Sequence, residues 1–126
     1  MKNLLYILIC ILLLAVVGCS FNKQVTSSIS TFTEEKEYDF QKFAYQSLSK
    51  SLKKEIIDWQ QGEISGFKTG SKLEVFNNKN SNTKDIQDVQ TIKVTFTTNE
   101  ESKFKSINIY LDEKGEEVLG FLTEDK

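Results

Sequence analysis

Two stretches in the C-terminal third alternate apolar and polar residues so regularly that they admit little besides an antiparallel sheet. Ile92, Val94 and Phe96 fall on one side of an extended chain, and Thr91, Lys93, Thr95 and Thr97 on the other. Ile107, Ile109 and Leu111 repeat the pattern against Ser106, Asn108 and Tyr110. The residues between them, Asn99-Glu100-Glu101-Ser102, have the length and chemistry of a hairpin connection. Strands over 89–98 and 104–111 therefore pair. A second turn over 112–116, centred on Lys114-Gly115, leads into a strand over 117–123 with Leu119 and Phe121 facing inward. A further strand is expected at 73–76, entered through Gly70-Ser71 and followed by a polar, asparagine-rich loop from Asn77 to Asp85. Alternation of this kind predicts one buried and one wet sheet face.

The buried face needs a cover. Phe40, Ala44, Leu48, Leu52 and Ile56 recur every four residues, with Phe43 and Trp59 beside that stripe, and Lys50, Lys53 and Lys54 lie on other faces. Thr33 is placed to cap a helix whose first turn carries Glu34, Glu35 and Glu37, acids where the helix dipole favours them. The spacing predicts an amphipathic helix over residues 35–60, with a kink near 47–51 and a stop at Gly62 or Gly66. Trp59 is either the plug of the core or an exposed anchor. The expected fold class is α+β, a long N-terminal helix packed on a four-stranded antiparallel meander, the architecture of the cystatin fold.

The other end of the chain carries an address. Met1-Lys2-Asn3 is a short positive start, followed by fourteen consecutive apolar residues from Leu4 to Val17. That is the pattern of a secretory signal. As a helix the run would reach about 21 Å, short of the roughly 30 Å hydrocarbon core of a bilayer. It closes in Val16-Val17-Gly18-Cys19, which resembles the lipobox of bacterial lipoproteins. The resemblance implies a diacylglyceryl group on the Cys19 thiol and cleavage before that residue. Residues 1–18 are then a removed signal peptide, 19–33 a lipidated cysteine with a serine- and threonine-rich tether, and 34–126 the folded domain. Cys10 leaves with the signal, so the processed chain has no thiol for a disulfide or for redox chemistry. Two acyl chains hold a protein on a membrane persistently, where one gives marginal binding.

Composition narrows the chemistry. The chain contains no histidine and no arginine, which removes imidazole metal sites, Ser/His and Cys/His catalytic pairs and bidentate guanidinium clamps. Loss of residues 1–18 removes only Lys2 among the charged groups, leaving fifteen lysines against eighteen acids, so no basic nucleic-acid footprint is expected. No glycine spacing matches a phosphate-cradling loop. The acid pairs Glu34-Glu35, Glu100-Glu101, Asp112-Glu113 and Glu116-Glu117 fall in expected turns or at the helix start, where solvated side chains are the ordinary outcome. No enzyme activity, metal or cofactor is expected. The wet sheet face offers a polar strip, Lys93, Thr95, Ser106, Asn108 and Tyr110, that serves either as a solvated face or as a partner-binding surface with Tyr110 as its anchor.

Taken together, the lipobox, the polar tether, the helix and the strands closing in Ile107-Asn108-Ile109-Tyr110-Leu111-Asp112-Glu113-Lys114-Gly115 resemble the small cystatin-like-fold lipoproteins of Gram-positive bacteria. Some of these belong to integrative and conjugative elements. For this chain the resemblance implies a non-catalytic protein-binding module, lipid-anchored on the extracytoplasmic face of the cell membrane. Its implied role is entry exclusion, engaging a multi-pass component of a donor cell's conjugation channel and blocking redundant transfer. Two other roles stand beside it: an envelope lipoprotein contacting a membrane protein of its own cell, and a small-ligand binder of the NTF2-like architecture. The protease-wedge hairpin of cystatins, Gln-x-Val-x-Gly, is not matched at Gln90-Thr91-Ile92.

Overall fold

The computed structural model describes residues 32–126, which form one α+β unit. The expected signal peptide, the lipobox-like residues Val16, Val17 and Gly18, the expected lipid site Cys19 and the expected tether as far as residue 31 lie outside the described residues. Helix α1 spans Glu34–Gln46, and Thr33 caps it, its hydroxyl oxygen accepting from the Lys36 N–H at 3.4 Å. Phe32 already belongs to the packed unit: its ring lies edge-on to Phe40, centroids 5.3 Å apart.

The expected helix over 35–60 is not continuous. Ser47 Oγ donates to the Ala44 carbonyl at 2.6 Å, and Ser49 starts a new one-turn helix, α2 (Lys50–Lys53), by accepting from the Leu52 N–H. Serine hydroxyls bonded to nearby backbone compete with the helical ladder, and here they end it. The four-residue stripe still faces the core, with Ala44, Leu48 and Ile56 buried in it and Phe40 and Leu52 partly buried against it. Ile56, however, reaches it from an isolated bridge to Thr98 rather than from a helix. Asp58 then caps a 3-10 turn, Trp59–Gln61, by accepting from the Gln60 N–H at 3.0 Å. Trp59 is half-buried and stacked on Tyr45 with centroids 5.8 Å apart, so it is neither a core plug nor a bare anchor.

The sheet has six strands rather than four: β1 (Glu63–Phe67), β2 (Glu74–Asn77), β3 (Asn82–Asp85), β4 (Thr91–Thr97), β5 (Phe104–Asp112) and β6 (Val118–Asp125). Their order is β1-β4-β5-β6-β2-β3, with every pairing antiparallel. Only β4, β5 and β6 form the expected meander. β1 contains Gly66, which the sequence offers as a helix stop, and lies along β4 through Ile64↔Val94 and Gly66↔Ile92. β3 arises inside the asparagine-rich loop. All four of its residues are exposed, so no apolar alternation marks it.

Against the helix-side face pack Ile92, Val94, Phe96, Ile107, Ile109 and Leu111, as the alternation predicts. The opposite face is not simply wet. Val75, Ile86, Tyr110 and Leu119 form a second buried cluster there, with Phe67, Leu73 and Leu122 against it. Leu119 and Phe121, expected to share a face, join different clusters. The cause is an irregularity in the β5–β6 register, where Tyr110↔Gly120 is followed by Leu111↔Val118 and Leu119 is the extra residue. One inserted residue turns the side chains on its two sides to opposite faces. Ile86 is brought in by the chain after β3, whose Ile86 N–H bonds the Leu73 carbonyl at 2.9 Å and whose Asp88 N–H bonds that of Thr69 at 2.8 Å.

Candidate functional site

α1 packs against β1, β4 and β5, and beyond that cover the same sheet face opens into a cleft of about 410 Å³ at the β6–β2 side. Phe43 and Ser47 of α1 form one wall. The floor is Val118, Gly120 and Phe121 of β6 with Phe76 of β2. Phe76 and Phe121 are register partners, their rings edge-to-face at 5.7 Å and 90°, and Phe76 remains 38% exposed. An apolar floor this open to water is the kind of surface that a ligand or a partner covers.

Each lip of the cleft is a turn with its own charge. The β5–β6 turn supplies Glu116 and Glu117. Their backbone N–H groups both donate to Asp112 Oδ1, at 2.7 and 3.1 Å, so one carboxylate fixes the turn. Gly115, at φ 73°, closes it with its N–H on the Asp112 carbonyl at 2.9 Å. The β2–β3 turn supplies Asn78, Lys79 and Asn80. Asn77 holds it from both sides: its carboxamide oxygen accepts from the Lys79 N–H at 2.9 Å, and its Nδ2 donates to the Val118 and Leu119 carbonyls at 3.3 and 3.4 Å. The side chains of Lys79, Glu116 and Glu117 make no ion pair among the described residues.

β2 can lie this close to β6 because of Gly120. A Cβ there would stand 2.6 Å from Val75 Cγ2 and 2.9 Å from the Phe76 carbonyl oxygen, distances that no side chain tolerates. The absence of a side chain at one position thus seats the strand that carries half of the floor.

The residues of the expected polar strip come together on the sheet face away from α1. Lys93↔Tyr110 and Thr95↔Asn108 are direct cross-strand partners on β4 and β5. Tyr110 does not serve as an anchor, because it is 4% exposed and lies in the second core cluster. Its ring meets Phe67 edge-on at 5.2 Å, and burial pushes its phenol above the ordinary value. Lys93 Nζ stands 5.1 Å over the Phe67 ring, a cation–π contact. Thr95 Oγ1 donates to Asn108 Oδ1 at 2.8 Å, and Ser106, buried, donates to Glu124 Oε2 at 3.1 Å. The strip is contiguous, as its spacing predicts, but most of its polar groups bond within the sheet and its aromatic member is covered.

The cleft residues escape sequence reasoning for a definite reason. Phe43 stands beside the four-residue stripe, Phe76 reads as the end of a short strand and Phe121 as an ordinary inward position, and the two lips read as a turn and part of a polar loop. The one available signal is that Phe43 adds a second apolar line to α1, wider than one row of strands requires. Among the described residues no group of three or more His, Cys, Asp or Glu is placed to hold a metal ion, and no helix is long and apolar enough to cross a membrane. No family model matches the chain, and no curated protein or solved structure does either.

Proposed function

We propose that this chain is a lipid-anchored, non-catalytic binding module on the extracytoplasmic face of the cell membrane, and that its recognition site is the cleft between the β2–β3 and β5–β6 turns. The observation that carries the reading is an aromatic floor left open to water between two turns of opposite charge. The Val16-Val17-Gly18-Cys19 sequence supports the anchor, with a diacylglyceryl group on the Cys19 sulfur. Thirteen residue steps separate Cys19 from Phe32, so the folded unit begins no more than about 45 Å along an extended chain from the lipid. Its partner must therefore come within that reach of the anchoring membrane, whether it belongs to the same cell or to a cell in contact with it. A protein of the conjugation channel, bound in entry exclusion, meets that requirement, and so does a membrane protein of the same cell.

The test is conjugation into recipients that express the full chain, its Cys19→Ala form, or a Phe76→Asp form that charges the cleft floor. Transfer of the cognate element is expected to fall in cells with the unaltered protein and to recover with either substitution. Equal transfer into expressing and empty recipients excludes entry exclusion. A second reading has one observation in its favour: a cleft of about 410 Å³ is within the size range of small-molecule sites, roughly 300–1,000 Å³. Saturable binding of a small metabolite that Phe76→Asp abolishes, with no effect on conjugation, supports that reading instead.

A further inference from the structure

We infer that the cleft recognises an extended protein segment in which a bulky apolar side chain stands next to a lysine or arginine. This rests on the cleft being the recognition site, and it adds the chemistry of what binds there. Three features of the cleft lead to it.

The floor comes first. Phe43 in the wall and Phe76 and Phe121 in the floor offer aromatic carbon, and the edge-to-face pair at 5.7 Å leaves Phe76 open to a further ring or branched aliphatic group. A side chain seated there replaces water against Phe76, which is 38% exposed. Asn77 spends its Nδ2 hydrogens on the Val118 and Leu119 carbonyls and Ser47 its hydroxyl hydrogen on the Ala44 carbonyl, so neither presents a free donor to a polar group. The deepest group of the ligand is therefore apolar.

The lips come second. Glu116 and Glu117 are adjacent, exposed and unpaired by any cation among the described residues. Asp112 fixes the backbone beneath them through two hydrogen bonds, so the two carboxylates are held at one rim rather than on a loose loop. A cation entering beside the apolar group meets them directly. On the facing turn Lys79 repels a second cation and donates to a carboxylate or a carbonyl, with Asn78 and Asn80 beside it as amide partners. The charge pattern across the opening is thus acidic, apolar, then basic and amide.

The shape comes third. The cleft runs between two turns and is open at the top, and it is floored by two adjacent strands. That geometry takes a chain passing across it, held by one side chain in the floor and by charge at the rim.

The experiment is a titration of uniformly ¹⁵N-labelled protein, residues 20–126, followed by amide shifts. The probes are four capped hexapeptides differing at two central positions: Phe-Lys, Phe-Glu, Ala-Lys and Ala-Glu in a glycine–serine frame, with a chitin trisaccharide as a non-peptide probe. Phe-Lys is expected to shift amides of β2, β6 and both turns with a Kd on the order of 1 mM, as a short flexible peptide allows. Phe-Glu is expected to bind about fivefold more weakly, a difference that shrinks in 0.5 M salt. The double variant Glu116→Lys/Glu117→Lys leaves the backbone bonds to Asp112 in place and is expected to reverse the preference toward Phe-Glu. Equal shifts with Phe-Lys and Phe-Glu, or an unaltered preference in the double variant, overturn the proposal. Shifts from the trisaccharide with none from the peptides overturn it in favour of a glycan. Should any of these occur while Phe76→Asp still abolishes exclusion, the cleft remains the site and only its stated ligand is wrong.

Discussion

The rings of Phe67 and Tyr110 meet edge-on with centroids 5.2 Å apart, and that contact withdraws from the surface the residue that the sequence best equips to be an anchor. Phe67 comes from β1 and Tyr110 from β5, which are not neighbours in the sheet; β4 runs between them and sends Lys93 over the same Phe67 ring. A strip read as a binding face is therefore closed by its own members. On the other face of the sheet Phe76 stays exposed.

Tyr110 gives a pH-dependent signature. Its phenol is raised by burial, so the folded state keeps the proton to higher pH than the unfolded chain, whose tyrosines titrate near about 10. Above that pH the unfolded state binds fewer protons, and stability falls as pH rises until the folded-state phenol also ionises. Tyr110→Phe is expected to leave stability at pH 7 within about 0.5 kcal/mol and to flatten the decline above pH 10. Urea denaturation at pH 7, 9, 10 and 11 measures both slopes; parallel curves for the two proteins would falsify the assignment.

Gly120→Ala tests the seating of β2. The added methyl meets Val75 and the Phe76 carbonyl, and overpacking of this kind costs about 2 kcal/mol. The damage is expected to be local as well as global: the Ile86 amide, bonded to the Leu73 carbonyl at 2.9 Å, should exchange hydrogen faster relative to amides of β4 and β5. Uniform acceleration across the sheet contradicts this account.

Thr33→Ala removes the side-chain cap of α1 and is expected to cost about 1 kcal/mol, with Thr33→Ser restoring most of it. Chemical denaturation of the three proteins decides the matter. An unchanged midpoint for Thr33→Ala means that the 3.4 Å contact contributes nothing measurable.

Lipidation makes a mass prediction. The processed protein is expected to begin at Cys19 and to carry a diacylglyceryl group, while Cys19→Ala retains residues 1–18 and lacks the lipid. Intact-mass spectrometry of membrane-extracted protein reads both; an unmodified mass for residues 1–126 rules out the anchor.

Some of this was open to view in the residues alone. The two-residue period of 92–96 and 107–111 determined β4, β5 and the face each side chain takes, because alternation is a property of any extended chain. The four-residue spacing from Phe40 to Ile56 determined what would be buried, and Thr33 with its following acids determined where α1 begins. The missing histidine and arginine bounded the chemistry in the same way, through residue identity alone, by removing imidazole and guanidinium groups.

What only the tertiary structure decided were the choices that local periodicity leaves equal. Ser47 and Ser49 end α1 because their hydroxyls find backbone partners, a competition that the apolar spacing does not register. One extra residue at Leu119 sends it to the second core around Tyr110 while Val118 and Phe121 stay together on the helix-side face, where they line the cleft. Periodicity assigns a side chain to a face; whether that face is covered depends on which distant segment packs on it. Here Ile86 and Phe67 cover Tyr110, α1 stops short of Phe76, and the exposed site lies where the cover ends.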